Sequence, residues 1–440
     1  MFSTAFSMLP AGTVFYNENE MMLQSVLQRL MRIRGSQKTS IGGIIVTNRE
    51  REYQTLNFGH PEDRGAVEET FYPWVLTTDR FKTEGMPAEI ADGAKDITNN
   101  IVGNKANQGE KYLPVNWGEG VMAYENHLGF DPVRRIHFVL PFRRFEEKVI
   151  EETPDHVIRQ DIYGRQTIKK ANSELELDYR PVISGQDDWD RLKERAAGEL
   201  EKYFTDELIR QTYGPLVEGH ERGDYSIRLN IEGFFWVPRE LMGIEAHLYA
   251  FYDEPELMHD INDYILQVYR TRLMDVIRLV RPDVVYFMED LSGKNGPMVS
   301  GDCFDEFVGA YYRQLVPMMK EAGVGSVMVD TDGDFSLMIP HFMDAGIEGF
   351  LPMDVNAGMN IVKVREQFPT LKFIGSFNKL EIAKGPEAIE REFQRILPVI
   401  RQGGYIPGSD HQVAPSTSLE NYRYYIGRLK EYMKQAGADA

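Results

Sequence analysis

The fold is decided by residues 326–354, which read Ser326-Val-Met-Val-Asp330-Thr-Asp-Gly-Asp-Phe-Ser336-Leu-Met-Ile-Pro-His-Phe-Met-Asp-Ala345-Gly-Ile-Glu-Gly349-Phe-Leu-Pro-Met-Asp354. A short apolar run is followed by acidic turn residues, then by a segment with helical spacing, and then by a second apolar run that ends in another acid. Short apolar runs bounded by turn residues are typical of buried strands. The stretch therefore predicts a strand–helix–strand unit.

The same alternation occurs throughout the C-terminal half of the chain. Apolar runs occupy residues 227–231, 284–288, 326–329, 349–353, 373–374 and 405–406, and a segment with helical spacing follows each. Six strands that each precede a helix indicate a parallel α/β sheet, and two further strands upstream would close it into a TIM (β/α)₈ barrel. A doubly wound open sheet is the alternative, but no Gly-x-Gly-x-x-Gly motif follows any of these runs. We therefore predict a TIM barrel.

The barrel is predicted to span residues 47–440, and two additions accompany it. Residues 1–46 form a predicted N-terminal extension, because 17–34 have the spacing of a packing or oligomerisation helix. Thr47 and Glu50 form a capping box that begins the next helix. Residues 145–183 contain short alternating segments around turn residues, which predicts an antiparallel β-hairpin excursion from the barrel.

The composition excludes several classes of partner. The 68 acidic residues exceed the 49 basic residues by 19, and the resulting net charge of −19 argues against binding to nucleic acid or to anionic membranes. No apolar run approaches the ~20 residues of a membrane span, and the N-terminus lacks the basic region of a secretory signal. The single cysteine, Cys303, excludes an intramolecular disulfide and a Cys-rich zinc motif. These features indicate a cytoplasmic protein, either a small-molecule enzyme or one with an acidic surface for a protein partner.

Acidic residues, in one case with a histidine, follow most of the predicted strands within a few positions. The residues at these positions are Glu232, Glu289, Asp330, Asp332, Asp354, Asp410 and His411. Catalytic residues of a TIM barrel come from the carboxyl ends of the strands and the loops just after them, so we expect these side chains to converge at one mouth. Loops are polar in general, but the repeated placement directly after strands predicts a functional carboxylate cluster.

Two of these positions have competing interpretations. Strand alternation sends Asp330 and Asp332 to the same face, where one of them could bind a metal or position substrate. The alternative is that Asp330 or Asp334 caps the helix that begins near Ser336. His411 could serve as an acid or base, as an anchor or as a metal ligand.

Three other features follow predicted strands. Trp236 comes after two phenylalanines and could line a pocket or pack in the core. Lys294 and Asn295 lie in a glycine-bounded loop, where Lys294 could pair with Glu289 or with an anionic substrate, or remain solvated. Cys303 lies in the first turn of a predicted helix, and we interpret it as a buried packing thiol.

Four motifs together resemble the uroporphyrinogen decarboxylase-like superfamily. They are Ile406-Pro-Gly-Ser-Asp-His-Gln-Val-Ala-Pro415 with Glu420-Asn-Tyr422, Glu289-Asp followed by Lys294-Asn-Gly-Pro, Val329-Asp-Thr-Asp-Gly-Asp334, and Thr47-Asn-Arg-Glu-Arg with Leu56-Asn-Phe and Asp63-Arg64. The resemblance runs from about Thr47 to the C-terminus. It implies a TIM barrel with one of two activities. These are decarboxylation of the acetate arms of uroporphyrinogen, or methyl transfer to or from a corrinoid protein, usually with an active-site zinc.

The departures from the superfamily pattern favour methyl transfer. Its decarboxylases have an Arg-Gln-Ala-Gly-Arg type of segment that binds substrate carboxylates, whereas residues 59–86 contain only Arg64 and Arg80, far apart. His411 matches the C-terminal histidine of the decarboxylases, so that reaction stays as the alternative. A third alternative is a non-catalytic barrel that binds a tetrapyrrole or a corrinoid, which the cost of burying unused carboxylates disfavours.

The resemblance also implies where a metal would bind. Asp330 and Asp332 stand where thiol-activating methyltransferases have a His-x-Cys pair, and Ser409 stands at their later cysteine, which excludes a zinc–sulfur site. We therefore expect a divalent metal, zinc, on Asp332, His411 and Glu289, with Asp354 as an alternative ligand. The same Asp332, His411 and Glu289 are the expected catalytic residues. The expected substrate-binding residues are Trp236, Lys294, Asn295 and Asp354, and a partner protein would supply the corrinoid.

Overall fold

The computed structural model describes residues 46–101, 115–116, 119–143, 145–161, 163–171 and 176–439. Residues 1–45 of the predicted N-terminal extension lie outside this part of the chain. The first described helix begins as predicted, because the backbone N–H of Glu50 donates to the Thr47 hydroxyl at 3.1 Å. The barrel therefore starts with the N-cap that the sequence indicates.

The strands form two main sheets and are numbered in chain order. They are β1 Val115–Asn116, β2 Val133–Phe138, β3 Lys148–Glu152, β4 His156–Gln160, β5 Gln166–Lys170, β6 Glu176–Arg180, β7 Ser226–Glu232, β8 Val284–Met288, β9 Ser292–Gly293, β10 Gly296–Pro297, β11 Ser326–Asp330, β12 Gly349–Leu351, β13 Lys372–Phe377 and β14 Tyr405–Ser409. Strands β2, β7, β8, β11, β12, β13 and β14 lie side by side in that order and run parallel, and β1 pairs antiparallel with β2. All six predicted runs are strands of this curled sheet, which confirms a barrel-like α/β fold.

Helices connect the parallel strands and are numbered in the same way. They are α1 Asn48–Leu56, α2 Val75–Thr83, α3 Ala88–Ile101, α4 Glu119–Leu128, α5 Gln186–Tyr203, α6 Asp206–Tyr213, α7 Val217–Arg222, α8 Trp236–Met242, α9 Ile244–Asp253, α10 Pro255–Val268, α11 Met274–Val280, α12 Gly301–Phe304, α13 Ala310–Glu321, α14 Ile339–Asp344, α15 Ile361–Gln367, α16 Lys379–Ile382, α17 Pro386–Gln402 and α18 Leu419–Tyr432. None of the helices in the described ranges is both long enough and apolar enough to cross a membrane.

The predicted eighth parallel strand is absent from the described residues, and an extended segment at 65–70 lies between β14 and β2 instead. The Ser409 amide and hydroxyl on β14 donate to the Glu69 carboxylate at 3.1 and 2.7 Å, and Arg135 on β2 donates to the Glu69 carbonyl at 2.8 Å. Glu68 is equally buried and pairs with Arg228. These bonds involve side chains rather than a ladder of backbone pairs, so the segment is not a strand. Its sequence also has no apolar alternation from which a strand could be predicted.

Alternation along the parallel strands decides which side chains fill the barrel. The inner cluster is Leu56, Ala66, Val284, Tyr286, Met328, Leu351, Ile374 and Ile406. The intervening residues, such as Val285 and Val327, face the helices and belong to the larger outer core. Because both faces are buried, strands such as β8 and β11 read as nearly continuous apolar runs, whereas β7 also carries Arg228 and Asn230.

Residues from the predicted antiparallel excursion form a separate four-stranded sheet. Its order is β3-β4-β5-β6, and each neighbouring pair is antiparallel. Ile158 at its centre is only 2% exposed, whereas every residue of β3 is exposed. The sheet is thus partly packed near its middle and open at the β3 edge.

The buried carboxylate of Asp283 joins helix α1 and helix α7 to the start of β8. It accepts hydrogen bonds from His220 at 2.7 Å, from Arg49 at 2.8 Å and from the Ile227 amide at 2.9 Å. Burial alone would raise the pKa of Asp283, but the hydrogen bond from His220 and the charges of Arg49 and His220 hold it below its usual value.

Asp283→Asn is expected to lower the free energy of unfolding by about 2–4 kcal/mol at neutral pH, because two buried donors, His220 and the Ile227 amide, and the half-buried Arg49 lose a charged acceptor. A carboxyl whose folded-state pKa is depressed stabilises the fold above its unfolded pKa of about 3.9, and loses that contribution as pH falls through the folded value. Urea unfolding between about pH 7 and pH 3 should therefore show the two proteins converging towards acid. The exposed Asp253→Asn is the matched control, and a difference that grows towards acid would contradict the assignment.

Candidate active site at the carboxyl ends of the strands

Asp332, Asp354 and His411 bring one potential ligand atom each to within 4.8 Å of one another. They come from three different strand ends, since Asp332 follows β11, Asp354 follows β12 and His411 follows β14. His411 Nε2 lies 3.1 Å from Asp332 Oδ1. All three side chains are partly exposed, so the cluster is open to solvent at the mouth of the barrel. Two carboxylates and an imidazole that converge in this way can hold a divalent cation.

The loop after β11 fixes the position of Asp332. The backbone N–H of Asp332 donates to Asp290 Oδ1 at 3.0 Å. Gly333 has a φ of +83°, and a Cβ there would overlap the backbone of Ser292, so only glycine fits this close approach. Asp334 then accepts the Ser336 amide at 3.1 Å. Asp334 therefore closes the turn before the helical segment that begins at Ser336, whose N-cap is Phe335 without a side-chain bond, and the Asp332 side chain stays in the cluster.

Asp354 and His411 are each held in position by contacts of their own. Asp354 Oδ1 accepts the amides of Asn356 and Ala357 at 3.0 and 3.2 Å, which closes the turn after β12. The His411 ring stacks on Phe71, with centroids 5.8 Å apart and an interplanar angle of 15°. His411 Nδ1 is buried and has no hydrogen-bond partner. The ring is therefore held by stacking on one side and by Asp332 on the other.

Asp410 ties three loops together directly beside His411. It is fully buried, and its Oδ2 accepts the Val355 amide at 3.2 Å and the Asn356 side chain at 3.3 Å. Its Oδ1 accepts the Lys379 amide at 3.0 Å. Asp410 therefore connects the loops after β12 and β13 to the end of β14.

Neighbouring carboxyl groups and burial shift the pKa values in and beside the cluster. Burial raises the pKa of Asp290 to about 6, and the charge of Asp332 adds to that rise. Burial also raises the pKa of Asp330 well above its usual value, and Asp290 and Asp332 contribute to the same direction. In His411 burial acts to lower the pKa, but the hydrogen bond and charge of Asp332 outweigh it and raise the pKa. A bound cation would relieve the repulsion between these carboxylates.

A cavity of about 30 Å³ lies inside the sheet next to the cluster. Phe71 joins the two, because it lines the cavity and stacks on His411. The lining residues are Thr70, Phe71, Arg135, His137, Arg228, Asn230, Tyr286, Met288, Asp330 and Leu351. This volume holds about two water molecules, so most of any substrate must bind above the cavity, in the mouth.

The comparisons with known proteins agree with this architecture. Residues 230–432 match the family model of uroporphyrinogen decarboxylase (URO-D), and this range contains the whole Asp332–Asp354–His411 cluster. Over this C-terminal part, the match confirms the predicted resemblance to the uroporphyrinogen decarboxylase-like superfamily. Its structure is also similar to that of a methyltransferase from Methanosarcina mazei, with a TM-score of 0.51 and 14% identity over 88% of this chain and 99% of that chain. At this identity the likeness shows the fold alone, and none of the curated proteins matches the chain.

Glu289, which the superfamily resemblance suggested as a metal ligand, has a different set of partners in the structure. Its fully buried carboxylate accepts the amides of Phe234, Phe235 and Trp236 at 2.9–3.0 Å and the hydroxyl of Tyr312. Burial raises the pKa of Glu289 to about 7, against the opposing effect of these four donors. The first turn of α8 therefore uses both carboxylate oxygens, and Asp354 occupies the third place in the cluster.

Gly233 explains why the carboxylate can approach that turn so closely. A Cβ at this position would overlap the Glu289 carboxyl group, so the glycine leaves the space in which Glu289 reaches the three amides. Glu232 beside it is drawn to the opposite side, where it forms an ion pair with the buried Arg143 at 2.8 Å. Neither glutamate contributes an oxygen to the cluster.

The expected substrate-binding residues lie at several places around the mouth. Trp236 is half-buried at the start of α8, beneath the guanidinium of Arg239 at 5.0 Å from the ring centroid. Lys294 and Asn295 are exposed at the tip of the hairpin between β9 and β10. Only Asp354 of this set belongs to the cluster itself.

Sequence reasoning missed three residues that shape the site. Phe71 comes from a region with no clear period, and only its contact with His411 shows its importance. Asp290 belongs to one of the four motifs, but its bond to the Asp332 amide depends on how two loops meet. Arg135 lies inside the barrel and lines the cavity, although an arginine within a strand ordinarily predicts a solvent-facing side chain. The one sequence signal for this inward orientation was the alternation of apolar residues along β2.

Proposed function

We propose that this protein is a metal-assisted methyltransferase that moves a methyl group between a small substrate and a corrinoid protein. The observation that carries the proposal is the convergence of Asp332, Asp354 and His411 within 4.8 Å at the barrel mouth. A methyltransferase with a similar fold is known from Methanosarcina mazei, which supports the choice of reaction class within the superfamily. The corrinoid partner is proposed from the superfamily alone.

The residues present fit a divalent metal. Oxygen and imidazole ligands suit zinc and other borderline divalent ions, and three protein ligands leave a coordination position free. The pKa values of Asp290 and Asp330 beside the cluster are raised by burial and by neighbouring carboxylates, and a bound cation would relieve that repulsion. We propose zinc, held by Asp332, Asp354 and His411. When bound, such an ion polarises the oxygen or nitrogen that carries the methyl group.

The protein's own residues would bind and orient the reactants around that point. Phe71 holds the His411 ring in place by stacking, and Asp410 keeps the loops that carry Asp354 and His411 in register. Lys294 and Asn295, exposed at their hairpin tip, are proposed to contact the distal part of the substrate. The small cavity beneath the cluster limits how deep the substrate can enter.

Decarboxylation of uroporphyrinogen is the alternative within the superfamily. That substrate carries eight carboxylates, which need paired cations to leave water. Arg64 already donates twice to Asp131, at 2.7 and 2.9 Å. Arg80 is occupied by Glu84 and by the carbonyls of Pro415 and Ser416. Neither arginine is available as a carboxylate clamp, which favours methyl transfer.

An anaerobic assay separates the two reactions. Zinc-loaded protein is incubated with cob(I)alamin and a panel of methoxy compounds and methylamines, and methylcobalamin is followed by its absorbance. We expect methyl transfer from at least one donor, and a rate at least about a hundredfold lower for His411→Ala, because loss of a group that acts in the transition state has effects of that size. Asp334→Ala, which removes a carboxylate outside the cluster, is the control.

The same preparation is then given uroporphyrinogen. We expect no coproporphyrinogen, because neither Arg64 nor Arg80 is free to bind the acetate arms. Formation of coproporphyrinogen would replace the proposal with decarboxylation. A panel of donors from which no methyl group is transferred, with uroporphyrinogen also unchanged, would remove both enzymatic assignments.

A further inference from the structure

Glu232 is an inward-facing carboxylate at the barrel mouth, on the side of β7. Arg228 and Asn230 on the same strand line the cavity. Alternation along a strand places Glu232, two residues further on, on the same face. Glu232 is the last residue of β7, and its side chain is 20% exposed. Its carboxylate can therefore be reached from the mouth, above the cavity.

A buried arginine fixes this carboxylate. Arg143 ends the turn Pro141–Arg143 that comes after β2, and its side chain is only 1% exposed. Arg143 Nη2 lies 2.8 Å from one oxygen of Glu232, and Arg143 Nε donates to the other oxygen at 3.4 Å. Burial raises the pKa of Glu232, whereas the charge and the hydrogen bond of Arg143 favour its ionised form. The pair therefore presents a hydrogen-bond acceptor that is held in one place.

The antiparallel sheet contacts this arginine through the turn between β4 and β5. The ring centroid of Tyr163 in that turn lies 5.7 Å from the guanidinium of Arg143 and 5.6 Å from that of Arg165. Arg165 pairs in turn with Glu240 on α8 at 2.8 Å. The turn is thus attached to the barrel beside the mouth. The sheet therefore helps to hold the residue that positions Glu232.

Strand register gives the span between Glu232 and the metal cluster. Glu232 pairs with Met288 on β8, and Met288 pairs with Asp330 on β11. Two strand spacings, about 10 Å, therefore separate Glu232 from the strand that leads to Asp332. A hydrogen bond to Glu232 takes about 2.8 Å of this span and a metal–oxygen bond about 2.1 Å, which leaves about 5 Å within the substrate. This length is close to the distance across a six-membered ring.

The charge of the pair decides which chemical group can bind to Glu232. An ionised carboxylate only accepts hydrogen bonds. Arg143 already balances its charge, so the position suits a neutral hydroxyl or N–H group better than a second cation. A substrate carboxylate would meet the like charge of Glu232 at short range. A molecule as small as methanol or methylamine would not reach from the cluster to Glu232.

We propose that Glu232 binds the far end of the methyl donor, and that this donor is a neutral, ring-sized molecule with a hydroxyl or N–H group about 5 Å from the atom that carries the methyl group. Arg143 is a positioning residue, because it holds Glu232 and is itself buried. The inference rests on the proposed function, since the metal cluster must hold the methyl-bearing end.

Equilibrium binding of four probes to zinc-loaded protein, without cobalamin, tests the span and the charge. The probes are methoxybenzene, para-methoxyphenol, ortho-methoxyphenol and para-methoxybenzoate, and calorimetry measures each dissociation constant. We expect para-methoxyphenol to bind at least about tenfold more tightly than methoxybenzene, because a hydrogen bond to a charged group has an effect of that size. Ortho-methoxyphenol should bind no more tightly than methoxybenzene, because its hydroxyl lies beside the methoxy group. Para-methoxybenzoate should bind most weakly.

Two variants assign this preference to Glu232. Glu232→Gln should reduce the preference for para-methoxyphenol to about threefold or less, because the acceptor loses its charge. The double variant R143M/E232L should bind methoxybenzene and para-methoxyphenol equally. It removes both charges of the pair together, and apolar replacement of a whole buried ion pair is often neutral for stability. Glu390→Ala removes a carboxylate that pairs with Arg428 between α17 and α18, and this control should keep the wild-type preference.

His411→Ala separates this inference from the proposed function. It should weaken the binding of every probe without changing their order, because it acts at the methyl-bearing end. Equal affinities of the wild type for methoxybenzene and para-methoxyphenol, no binding of any probe, or a preference that survives in both Glu232 variants would overturn the inference, even where shorter donors give methyl transfer. A preference that depends on Glu232, with affinities that respond neither to zinc nor to His411→Ala, would support the contact at Glu232 and contradict the metal-assisted reaction.

Discussion

Zinc affinity is expected to fall at least about a hundredfold when Asp332 or His411 is replaced by alanine. Replacement of groups that only orient metal ligands commonly costs 10–100-fold in metal affinity, so loss of a ligand itself should cost at least as much. The two side chains lie 3.1 Å apart in the cluster, and either change leaves two ligands where three are needed. Metal content after dialysis and competition with a chromophoric chelator both measure the effect.

The zinc affinities of the Asp354→Ala variant and of a Glu289 variant identify the third ligand. Asp354→Ala should weaken zinc binding as strongly as Asp332→Ala, because Asp354 lies within the cluster. Asp334→Ala is the matched control, since the Asp334 carboxylate accepts the Ser336 amide and does not belong to the cluster. Wild-type protein that retains no stoichiometric zinc after incubation and dialysis would show that no such centre exists. His411 and Asp332 would then form only an ion pair.

Glu289→Gln is expected to lower the free energy of unfolding by about 3–5 kcal/mol while leaving zinc affinity unchanged. The wild-type carboxylate accepts three backbone amides and the Tyr312 hydroxyl. A glutamine offers one oxygen, and its NH₂ group faces donors, so at least two buried groups lose their partner at about 1–3 kcal/mol each. Denaturant unfolding at about pH 8, above the pKa of Glu289, measures the loss with the wild-type group charged.

The exposed Glu245→Gln is the control for that experiment, and it should change stability by less than about 0.5 kcal/mol. A Glu289→Gln variant that is as stable as the wild type but loses zinc would return Glu289 to the metal centre, as first expected. A variant that is destabilised and binds zinc normally separates the two roles. These two outcomes thus distinguish a structural role of Glu289 at the start of α8 from a role in the metal centre.

The strands of the C-terminal half could be predicted from the sequence because burial on both faces makes most of them short apolar runs, although β7 includes Arg228 and Asn230. The bounds of β8 match the predicted run, and the others differ by a few residues at their ends. The closure of the barrel could not be predicted in the same way. The segment at 65–70 is held by Glu68 and Glu69, whose carboxylates pair with Arg228 and Ser409. Such contacts join residues far apart in sequence and have no local period.

The candidate site could be predicted in part for a related reason. A position directly after a strand indicates which end of the barrel a residue occupies, and this placed Asp332, Asp354 and His411 together. It does not indicate in which direction the side chain turns. Glu289 follows β8 even more closely than Asp354 follows β12, yet the amides at the start of α8 attract its carboxylate away from the mouth. Competition between donors decides that outcome, and it is visible only in three dimensions.

The contacts of Asp410 also limit how this scaffold could be re-engineered. A laboratory that wished to change substrate preference would ordinarily exchange one βα loop at a time, since loops of a barrel are treated as separate modules. Here a single buried carboxylate accepts bonds from Val355 in one loop and from Lys379 in the next. Transplanting either loop alone would leave that charge short of a donor and displace the neighbouring His411. The three loops that follow β12, β13 and β14 would therefore have to be exchanged together.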